Sequence, residues 1–600
     1  METAYEVTGG VARIRLTDYG AVPDSGRDAL PAMRRAIEAA ERHAGPAVLE
    51  CPPGRYDFYP GEAARAPYYI TNTASEEENP DVTKTIAILL KGIGRLTLDG
   101  NGSLFLFHGR VTMLALDGCD DVEIRDLHLD YVRPTVAEMT VTAAGTGYMD
   151  VEVHPDSRYE LQDGKVYWTG DGWRFNAGPM QAFDPVRNRT WRIDNLGEAA
   201  RAEELAPGRL RFHLDGASGE PAGRVLQVRD GLRDQVGVFI HRSRNIRLTG
   251  GGIHFMHGLG IVCQYSEDLR FSELDLSPRP ETGRTVTAFA DFIHVSGCRG
   301  RVEIEGCRFI GGHDDPVNVH GTHLRLVGMP EPNRVLLRFM HPQTYGFQPF
   351  FPGDEAAFVK SATLLPYGSG RVRAVQAVSP RDWLLTLEAD APAGAEPGDA
   401  VENVTWNPEL HVHGNYFARI PTRGVLVTTR RKAVIEGNVF DGTTMSGVLV
   451  ADDAESWFES GPVRDLTIRG NRFAGCGSAE HPVICVAPEN RVADAASPVH
   501  EGIVIEGNRI ETSLAAALDA KSVRGLRFAN NAVVPAEGAA EDGAPAAASL
   551  IRLDACSGVT VNGNAFAEDG LPASVAAVKR MAPDGLRVGE GQRLRVEVRD

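Results

Sequence analysis

The sequence predicts an all-β protein, a right-handed parallel β-helix (solenoid) with an N-terminal capping helix and two inserted small β-barrel-like domains. Three observations predict this fold: the length of 600 residues, which exceeds one ordinary compact core, a short motif that recurs along the second half, and two long gaps in that recurrence. The composition, with 42% apolar and 24% charged residues, is typical of a folded chain rather than a disordered one.

The motif reads apolar, any, Gly or similar, Asn or Cys, any, Phe or Ile. Its fourth position falls on Cys307, Asn415, Asn438, Asn471, Asn508, Asn531 and Asn564, and the gaps from Asn415 onward are 23, 33, 37, 23 and 33 residues. Segments of this length that are rich in Val and Ile and alternate apolar with polar residues indicate one turn of a parallel β-helix. We expect the recurring Asn residues to form a ladder in which each amide bonds the backbone of the next coil.

The gaps divide the chain into five segments. Residues 1–130 begin the β-helix with its cap, and residues 131–238 and 322–405 form the two inserted β-domains. Residues 239–321 are coils that carry a cluster of acids, and residues 406–600 are the C-terminal coils. The stretch at 28–43 has the spacing of an amphipathic helix, and we expect it to cover the open end of the solenoid, which otherwise exposes a sheet edge.

The net charge of the chain limits the classes of partner that we expect. Asp and Glu number 81 against 62 Lys and Arg, a net charge of −19, so we expect neither nucleic acid nor a membrane surface as a partner. A run of about 20 apolar residues is absent, and the N-terminal residues lack a secretory pattern. We therefore expect a cytoplasmic protein, or a secreted one if a leader has been removed. The eight cysteines show no metal-type spacing and predict small buried apolar side chains.

The densest group of acids and histidines lies between residues 291 and 320. It contains two similar heptapeptides, DFIHVSG at 291–297 and DPVNVHG at 315–321, which begin 24 residues apart, about one coil. Their alignment places Asp291 beside Asp315, with Asp314 at the edge. The aspartates Asp291 and Asp315 thus begin a column of residues at equivalent positions of successive coils. Alignment of the later coils adds Arg423, Ser446 and His481 to this column. By strict alternation, Asp291 and Asp315 share the direction of Ile293 and Val295, while His294, Asp314 and Asn318 point the other way.

Stacked carboxylates predict an acid and base pair. Because like charges repel, one carboxyl should resist ionisation while the one beside Arg423 stays charged, which is the separation that general acid and base catalysis requires. We expect Arg423, His294, Asn318 and His320 to bind substrate, and Trp457 to stack on the C–H face of a sugar. The residues leave open which Asp is the acid, which is the base, and how far apart they lie.

The stretch DYGAVPDSGRDALPAMRRAIEAA, from residue 18, resembles the N-terminal signature of pectinase-type β-helix enzymes. With the aspartate cluster and the two inserts, the whole chain resembles glycoside hydrolase family 110. That resemblance implies an inverting exo-acting α-1,3-galactosidase, with Asp291, Asp314 and Asp315 as the catalytic acids and no metal or other cofactor. It also implies a substrate that is an oligosaccharide or glycoconjugate with terminal α-galactose, as in blood-group-B-type glycans.

Two other functions compete with this one. Another β-helix polysaccharide enzyme, a polygalacturonase-like hydrolase or a lyase, would use the same scaffold, and a non-catalytic glycan-binding solenoid would use the same surface. A polyuronide substrate calls for several cations in the cleft, and the acidic charge of the chain disfavours it. If the catalytic centre lay elsewhere, the next candidates are Asp452, Asp453 and Glu455.

Overall fold

The computed structural model describes residues 5–43, 45–196, 200–217, 219–537 and 546–599, and its parallel strands stack in three rows. Each row forms one face of a right-handed parallel β-helix, so the predicted fold class is confirmed. Consecutive coils pair in register on every face, for example Val425 with Val448 and Val412 with Ile435. Each face therefore places equivalent positions of successive coils side by side.

The strands of the first face are Val11–Arg15, Ala47–Glu50, Gly94–Phe107, Asp120–Tyr131, Arg244–Thr249, Glu267–Ser272, Arg299–Glu305, Glu409–His413, Ala433–Glu436, Leu466–Arg469, His500–Glu506, Val523–Ala529, Val559–Asn562 and Leu586–Val588. The second face is made by the ends of two of these long strands and by Arg55–Phe58, Gly252–Ile253, Asp275–Leu276, Arg308–Ile310, Tyr416–Ala418, Val439–Asp441, Arg472–Ala474, Arg509–Glu511, Ala532–Val534 and Ala565–Phe566. The third face consists of Thr83–Lys91, Thr112–Asp117, Val238–His241, Ile261–Gln264, Ile293–Ser296, Val317–Glu331, Val425–Val427, Val448–Val450, Ile484–Val486, Leu518–Lys521, Ile551–Asp554, Val575–Lys579 and Arg595–Val598.

A ladder of buried amides marks the corner between the first and second faces. The backbone N–H and the side-chain Nδ2 of Asn415 both donate to Oδ1 of Asn438, at 2.9 Å each. The same pair of bonds repeats from coil to coil as far as Asn564, whose backbone N–H donates to Oε1 of Gln592 at 3.0 Å. The predicted ladder is confirmed, and it fixes the register of each coil on the next.

The interior of the β-helix is filled by columns of like side chains. The inward-facing Val, Ile and Leu of the three faces are buried, and the rings of Phe309, Phe417, Phe440 and Phe473 stack with centroids 4.7–4.9 Å apart. Burial of an apolar side chain of this size contributes about 1.5–3 kcal/mol. The described cysteines are all free thiols, and seven of the eight are buried, as the sequence predicted.

The helix Leu30–Arg42 lies against the first strands of the β-helix. Its buried side carries Leu30, Met33, Ile37 and Ala40, the side chains that its amphipathic pattern indicated. It contacts the strands Val11–Arg15, Ala47–Glu50 and Thr83–Lys91 and so covers the apolar interior at this end. Within the described residues, the structure contains no helix with the length and apolar character needed to cross a membrane.

Two antiparallel units interrupt the coils. The first is a six-stranded sheet, with a three-stranded sheet beside it, around its own apolar core; its strands are Val136–Val153, Arg158–Gln162, Lys165–Gly170, Trp173–Phe175, Met180–Asp184, Arg189–Ile193, Arg201–Ala206, Arg209–Ala217 and Val225–Arg229. The second is a closed ring of Val317–Glu331, Arg334–Arg338, Asp382–Leu387, Leu365–Ala377, Glu355–Lys360 and Ala400–Asn403, also with its own core. The strand Val317–Glu331 leaves the third face of the β-helix and continues into this ring, so the second unit is anchored directly beside the acid cluster.

Replacing a ladder amide tests its contribution to stability. Asn438→Ala and Asn508→Ala each leave a buried N–H and a buried C=O of the preceding coil without a hydrogen bond, so we expect each to lower the free energy of unfolding by about 1–3 kcal/mol. Urea unfolding and thermal midpoints measure the change. The matched control is Asn562→Ala, at an exposed position two residues from the ladder residue Asn564. Ladder variants as stable as the control would show that the amides are dispensable.

Candidate active site

Three aspartates meet where two adjacent strands of the third face begin. Asp291 precedes the strand Ile293–Ser296, and Asp314 and Asp315 precede Val317–Glu331. These strands pair in parallel with Ile293 opposite Val317, which places Asp291 beside Asp315 as the two heptapeptides indicated. One oxygen of each of the three carboxyl groups lies within 4.8 Å of the others.

The direction predicted for two of these side chains is wrong. Ile293 and Val295 point into the apolar core, but Asp291 and Asp315 line a cavity on the outside of the coil. Both aspartates lie before the first strand residue, so the alternation of the strand does not extend to them. As a result Asp291 faces the same way as His294, and the Oδ2 of Asp291 lies 2.8 Å from Nδ1 of His294.

The column continues into the next coil with an arginine. The backbone N–H of Arg423 donates to Oδ1 of Asp315 at 3.1 Å, and its Nη2 donates to Oδ2 at 2.6 Å. The pairing of Val425 with Val448 also aligns Ser446 with Arg423. Two hydrogen bonds from one arginine hold Asp315 in a single orientation.

His481 does not belong to this column, contrary to the sequence prediction. The structure pairs Val448 with Ile484, so Pro482 aligns with Ser446 and His481 is displaced by one residue. His481 instead bonds Ser478, with 3.0 Å between Nδ1 and Oγ. The segment is apolar at four consecutive positions, Val483 to Val486, so its pattern fits two registers equally well.

Burial dominates the electrostatics of the acids. It raises the pKa of Asp291, and the nearby Asp314 raises it further. Burial also raises the pKa of Asp315, but the guanidinium of Arg423 opposes that effect. Of these two buried carboxyls, Asp315 therefore ionises first. Their environments separate the two proton affinities, as a general acid and base pair requires.

The aspartates form the floor of a cavity of about 340 Å³. Its lining residues are Asn72, Arg192, Arg233, Leu259, Asp291, Asp314, Asp315, Asn318, Arg423, Leu426, Leu449, Ala451, Asp453, Trp457, Glu459 and Glu489. They include six acids and three arginines, so the acidic side chains outnumber the cations. Such a lining suits a neutral polyhydroxyl ligand better than an anionic one.

Several lining residues come from segments that the repeat does not align. Arg192 belongs to the first insert, and its Nη2 lies 3.5 Å from Oδ2 of Asp314. Arg233 follows that insert and donates to Oε1 of Gln343, and Asn72 belongs to the N-terminal coils and donates to Oε1 of Glu459. Sequence reasoning missed all of these. For Glu459 the sequence did offer a signal. The gaps of 33 and 37 residues between successive ladder Asn residues exceed the basic gap of 23, which indicates coils with a longer loop.

Trp457 lies at the mouth of the cavity on one of these longer coils. Its side chain is 45% exposed, and its ring stacks on His341 with 4.5 Å between centroids. The carboxylate of Asp453 accepts backbone N–H groups from Glu455 to Phe458 and so fixes the loop that presents the indole. Although burial raises the pKa of Asp453, these N–H donors outweigh it and lower that pKa.

The other predicted binding residues take different positions. Asn318 lines the cavity, donates from Nδ2 to Oε1 of Glu459 at 3.3 Å, and has an Oδ1 without a hydrogen-bond partner among the described residues. His294 and His320 are buried behind Asp291, with 2.9 Å between their Nε2 atoms, and are not among the lining residues. Neither ring presents a free nitrogen to a ligand.

Comparison with known proteins adds independent findings. Residues 137–226 match the model of GLAA-B β-barrel domain I, and residues 334–401 match that of GLAA-B β-barrel domain II. Over 563 residues the chain is 42% identical to α-1,3-galactosidase A of Bacteroides fragilis, covering 92% of each chain. It is 33% identical to α-1,3-galactosidase B of Bacteroides thetaiotaomicron, covering 87% of this chain and 86% of the relative.

Among solved structures, the family 28 exopolygalacturonase of Yersinia enterocolitica aligns with a TM-score of 0.37 and 12% identity. The alignment covers 94% of this chain and 79% of that one.

The raised pKa of Asp291 predicts a pH-dependent stability. An Asp carboxyl ordinarily titrates near 3.9, so above about pH 4 the unfolded chain has lost a proton that the folded protein still holds. The free energy of unfolding must then fall as pH rises through this interval, by up to about 1.4 kcal/mol per pH unit and proton. Asp291→Asn cannot ionise, so we expect it to lose less stability between pH 5 and pH 8 than the wild type does.

Urea unfolding at both pH values measures this difference. The control is the exposed Asp465→Asn, which should keep the wild-type pH dependence. If Asp291→Asn loses as much stability as the wild type, Asp291 is ionised in the folded protein throughout this range.

Proposed function

Because the chain belongs to the α-1,3-galactosidase family, glycoside hydrolase family 110, we propose that it releases terminal α-1,3-linked galactose from blood-group-B-type glycans with inversion at the anomeric carbon. One observation supports it above the others: three aspartates line one cavity, to which the first insert contributes Arg192. A volume of about 340 Å³ lies at the low end of ligand pockets, roughly 300–1,000 Å³. A confined pocket accepts a chain end rather than the interior of a polysaccharide, as exo action requires.

The degree of exposure supports a division of roles among the aspartates. The side chain of Asp314 is 19% exposed, against 7% for Asp291 and 2% for Asp315. With a terminal galactose on the floor of the cavity, the rest of the glycan must extend toward solvent, where Asp314 lies. Asp314 then protonates the departing glycosidic oxygen, while Asp291 and Asp315 orient and deprotonate the attacking water.

The lining offers partners for a neutral sugar. Arg192 and Arg233 donate to hydroxyl oxygens, and Asn318 lies beside them in the lining. The exposed indole of Trp457 stacks on the C–H face of a ring. A uronic acid would add a negative charge to a cavity whose lining acids already outnumber its arginines, so a galactoside fits this lining better.

Inversion is part of the proposal because the family resemblance implies it. The carboxyl spacing does not select it, since inverting glycosidases usually separate the two groups by about 6.5–9.5 Å and retaining ones by about 5–5.5 Å. Here the nearest carboxyl oxygens lie within 4.8 Å of one another. Anomeric stereochemistry therefore has to be read from the product.

Proton NMR of the first product formed from a blood-group-B trisaccharide tests substrate, linkage and stereochemistry together. We expect galactose to appear first as the β-anomer, at a rate that EDTA leaves unchanged, since Arg423 already supplies a cation to Asp315. Initial release of α-galactose would show retention. Loss of activity in EDTA that calcium restores would favour a lyase, and no release at all would favour the glycan-binding solenoid.

Substitution of each aspartate separates the acid from the base. We expect Asp291→Asn, Asp314→Asn and Asp315→Asn each to lower kcat on the trisaccharide at least about 10²-fold, because each removes a proton donor or acceptor. On dinitrophenyl α-galactoside, whose leaving group needs no proton, Asp314→Asn should regain most of its rate while the other two remain impaired. The exposed Asp465→Asn controls for the substitution itself.

If the dinitrophenyl substrate instead rescues Asp291→Asn, the acid and base roles are exchanged. Wild-type turnover in two of the three variants would place the catalytic centre elsewhere, with Asp453 the next candidate in the cavity.

A further inference from the structure

A continuous chain of hydrogen bonds runs from Asp291 into the protein interior. Oδ2 of Asp291 lies 2.8 Å from Nδ1 of His294, and Nε2 of His294 lies 2.9 Å from Nε2 of His320. Nδ1 of His320 lies 2.6 Å from the backbone carbonyl oxygen of Gly321. Both imidazoles are buried, with 1% and 2% exposure, so beyond Asp291 the chain is closed to solvent.

The carbonyl at the end of the chain fixes the direction of these bonds. A carbonyl oxygen only accepts, so Nδ1 of His320 carries a hydrogen and donates it to Gly321. Three contacts need three hydrogens, whereas two neutral imidazoles supply only two. The third hydrogen is either a carboxyl proton on Asp291 or a second proton on one imidazole. Without it, two lone pairs would face each other at 2.8 or 2.9 Å.

Burial favours the neutral form of each group and so favours a carboxyl proton on Asp291 over a second proton on an imidazole. The ionisable and charged groups that act on the two imidazoles are Asp291, Asp314, Asp315, Glu459 and Arg233. Burial lowers the pKa of His294 to about 4 and also lowers that of His320, while it raises the pKa of Asp291. In the resting protein the hydrogen therefore belongs to Asp291. Glu459, whose Oε1 lies 3.5 Å from Nε2 of His320, stabilises a positive charge at the other end.

We propose that His294 and His320 are positioning residues that form a proton relay, which converts Asp291 from a neutral acid into a carboxylate without releasing its proton to the cavity. The proton moves from Oδ2 of Asp291 to Nδ1 of His294, and the hydrogen on Nε2 of His294 moves to Nε2 of His320. The products are an Asp291 carboxylate and an imidazolium at His320 beside Glu459, so charge and protons balance.

This relay rests on the proposed function for its purpose, since the carboxylate it creates is the group that deprotonates the attacking water. When water adds to the anomeric carbon, one of its O–H bonds breaks and the proton passes to Asp291. The glycosidic C–O bond breaks at the same time, and the leaving oxygen takes a proton that Asp314 has first taken up from solvent, to which its side chain is 19% exposed. The sequence predicted that both histidines contact the sugar, whereas in the relay they act through Asp291.

Nitrogen-15 NMR of histidine-labelled protein tests the relay without any substrate. In the wild type we expect His320 to carry its hydrogen on Nδ1, and His294 to carry one on Nε2 with Nδ1 unprotonated. In His320→Gln, the amide can donate to Nε2 of His294, so the hydrogen of His294 should move to Nδ1. A wild-type His294 protonated on Nδ1, or no change of tautomer in the variant, would overturn the proposal.

The pH profile supplies a readout that a merely structural role does not move. In His320→Gln, His294 donates to Asp291 and stabilises its carboxylate, so the low-pH limb of kcat/KM should move down by about one pH unit. His294→Gln should move it the same way, since its amide also donates to Asp291. The matched control is His500→Gln, a buried histidine in a C-terminal coil whose Nδ1 accepts the N–H of Val463.

The outcomes distinguish the relay from the function it serves. A folded His320→Gln enzyme with reduced kcat and an unmoved limb would overturn the relay and leave a structural role. Tautomers as expected in a protein that cleaves no galactoside would overturn the proposed function and keep the hydrogen-bond chain. If a variant fails to fold, the wild-type tautomers still test the direction of the chain, and a His294 protonated on Nδ1 would overturn the relay.

Discussion

In-register stacking of coils, held by the buried amide ladder, is the constraint on which the rest of this structure depends. Each ladder Asn from Asn415 to Asn531 donates two hydrogens to the Asn of the next coil, and this pattern runs unbroken to Asn564. Such a ladder does not tolerate a shift of register, because a shift would leave buried amides unpaired. Equivalent positions of successive coils are therefore neighbours whatever their separation in sequence, and Asp315 and Arg423 touch although they are 108 positions apart in the chain.

The stacking of coils allows long segments to be inserted between one coil and the next, and the two inserts are such segments. A long excursion between two coils costs little extra closure entropy, and each insert has its own apolar core to stabilise it. The inserts place additional side chains around the aspartates or hold a lining residue in position. A β-helix face alone is an open surface, but Arg192 of the first insert reaches Asp314, and Gln343 of the second holds Arg233. The same scaffold that aligns the aspartates thus becomes a cavity suited to a chain end.

Enclosure also sets the chemistry of the acids. In a solvent-filled groove three adjacent carboxyl groups would all ionise, but burial raises the pKa of Asp291 and Asp315 and makes their neutral forms accessible. Arg423 opposes the effect at Asp315, whereas at Asp291 the nearby Asp314 adds to the effect of burial. Two carboxyls in equivalent positions of neighbouring coils are thereby made chemically different.

The sequence by itself determined the repeat, the positions of the interruptions, the amide ladder and the grouping of Asp291, Asp314 and Asp315, because in-register coils translate sequence period directly into contact. Only the tertiary structure decided which way those aspartates point, since they lie in a turn where strand alternation has ended. It alone displaced His481 from the column, because a uniformly apolar strand fits two registers. It also brought Asn72, Arg192 and Arg233 to the cavity through segments that carry no repeat. Finally, it placed His294 and His320 behind Asp291, because the orientation of an imidazole depends on partners such as the Gly321 carbonyl, which no sequence pattern records.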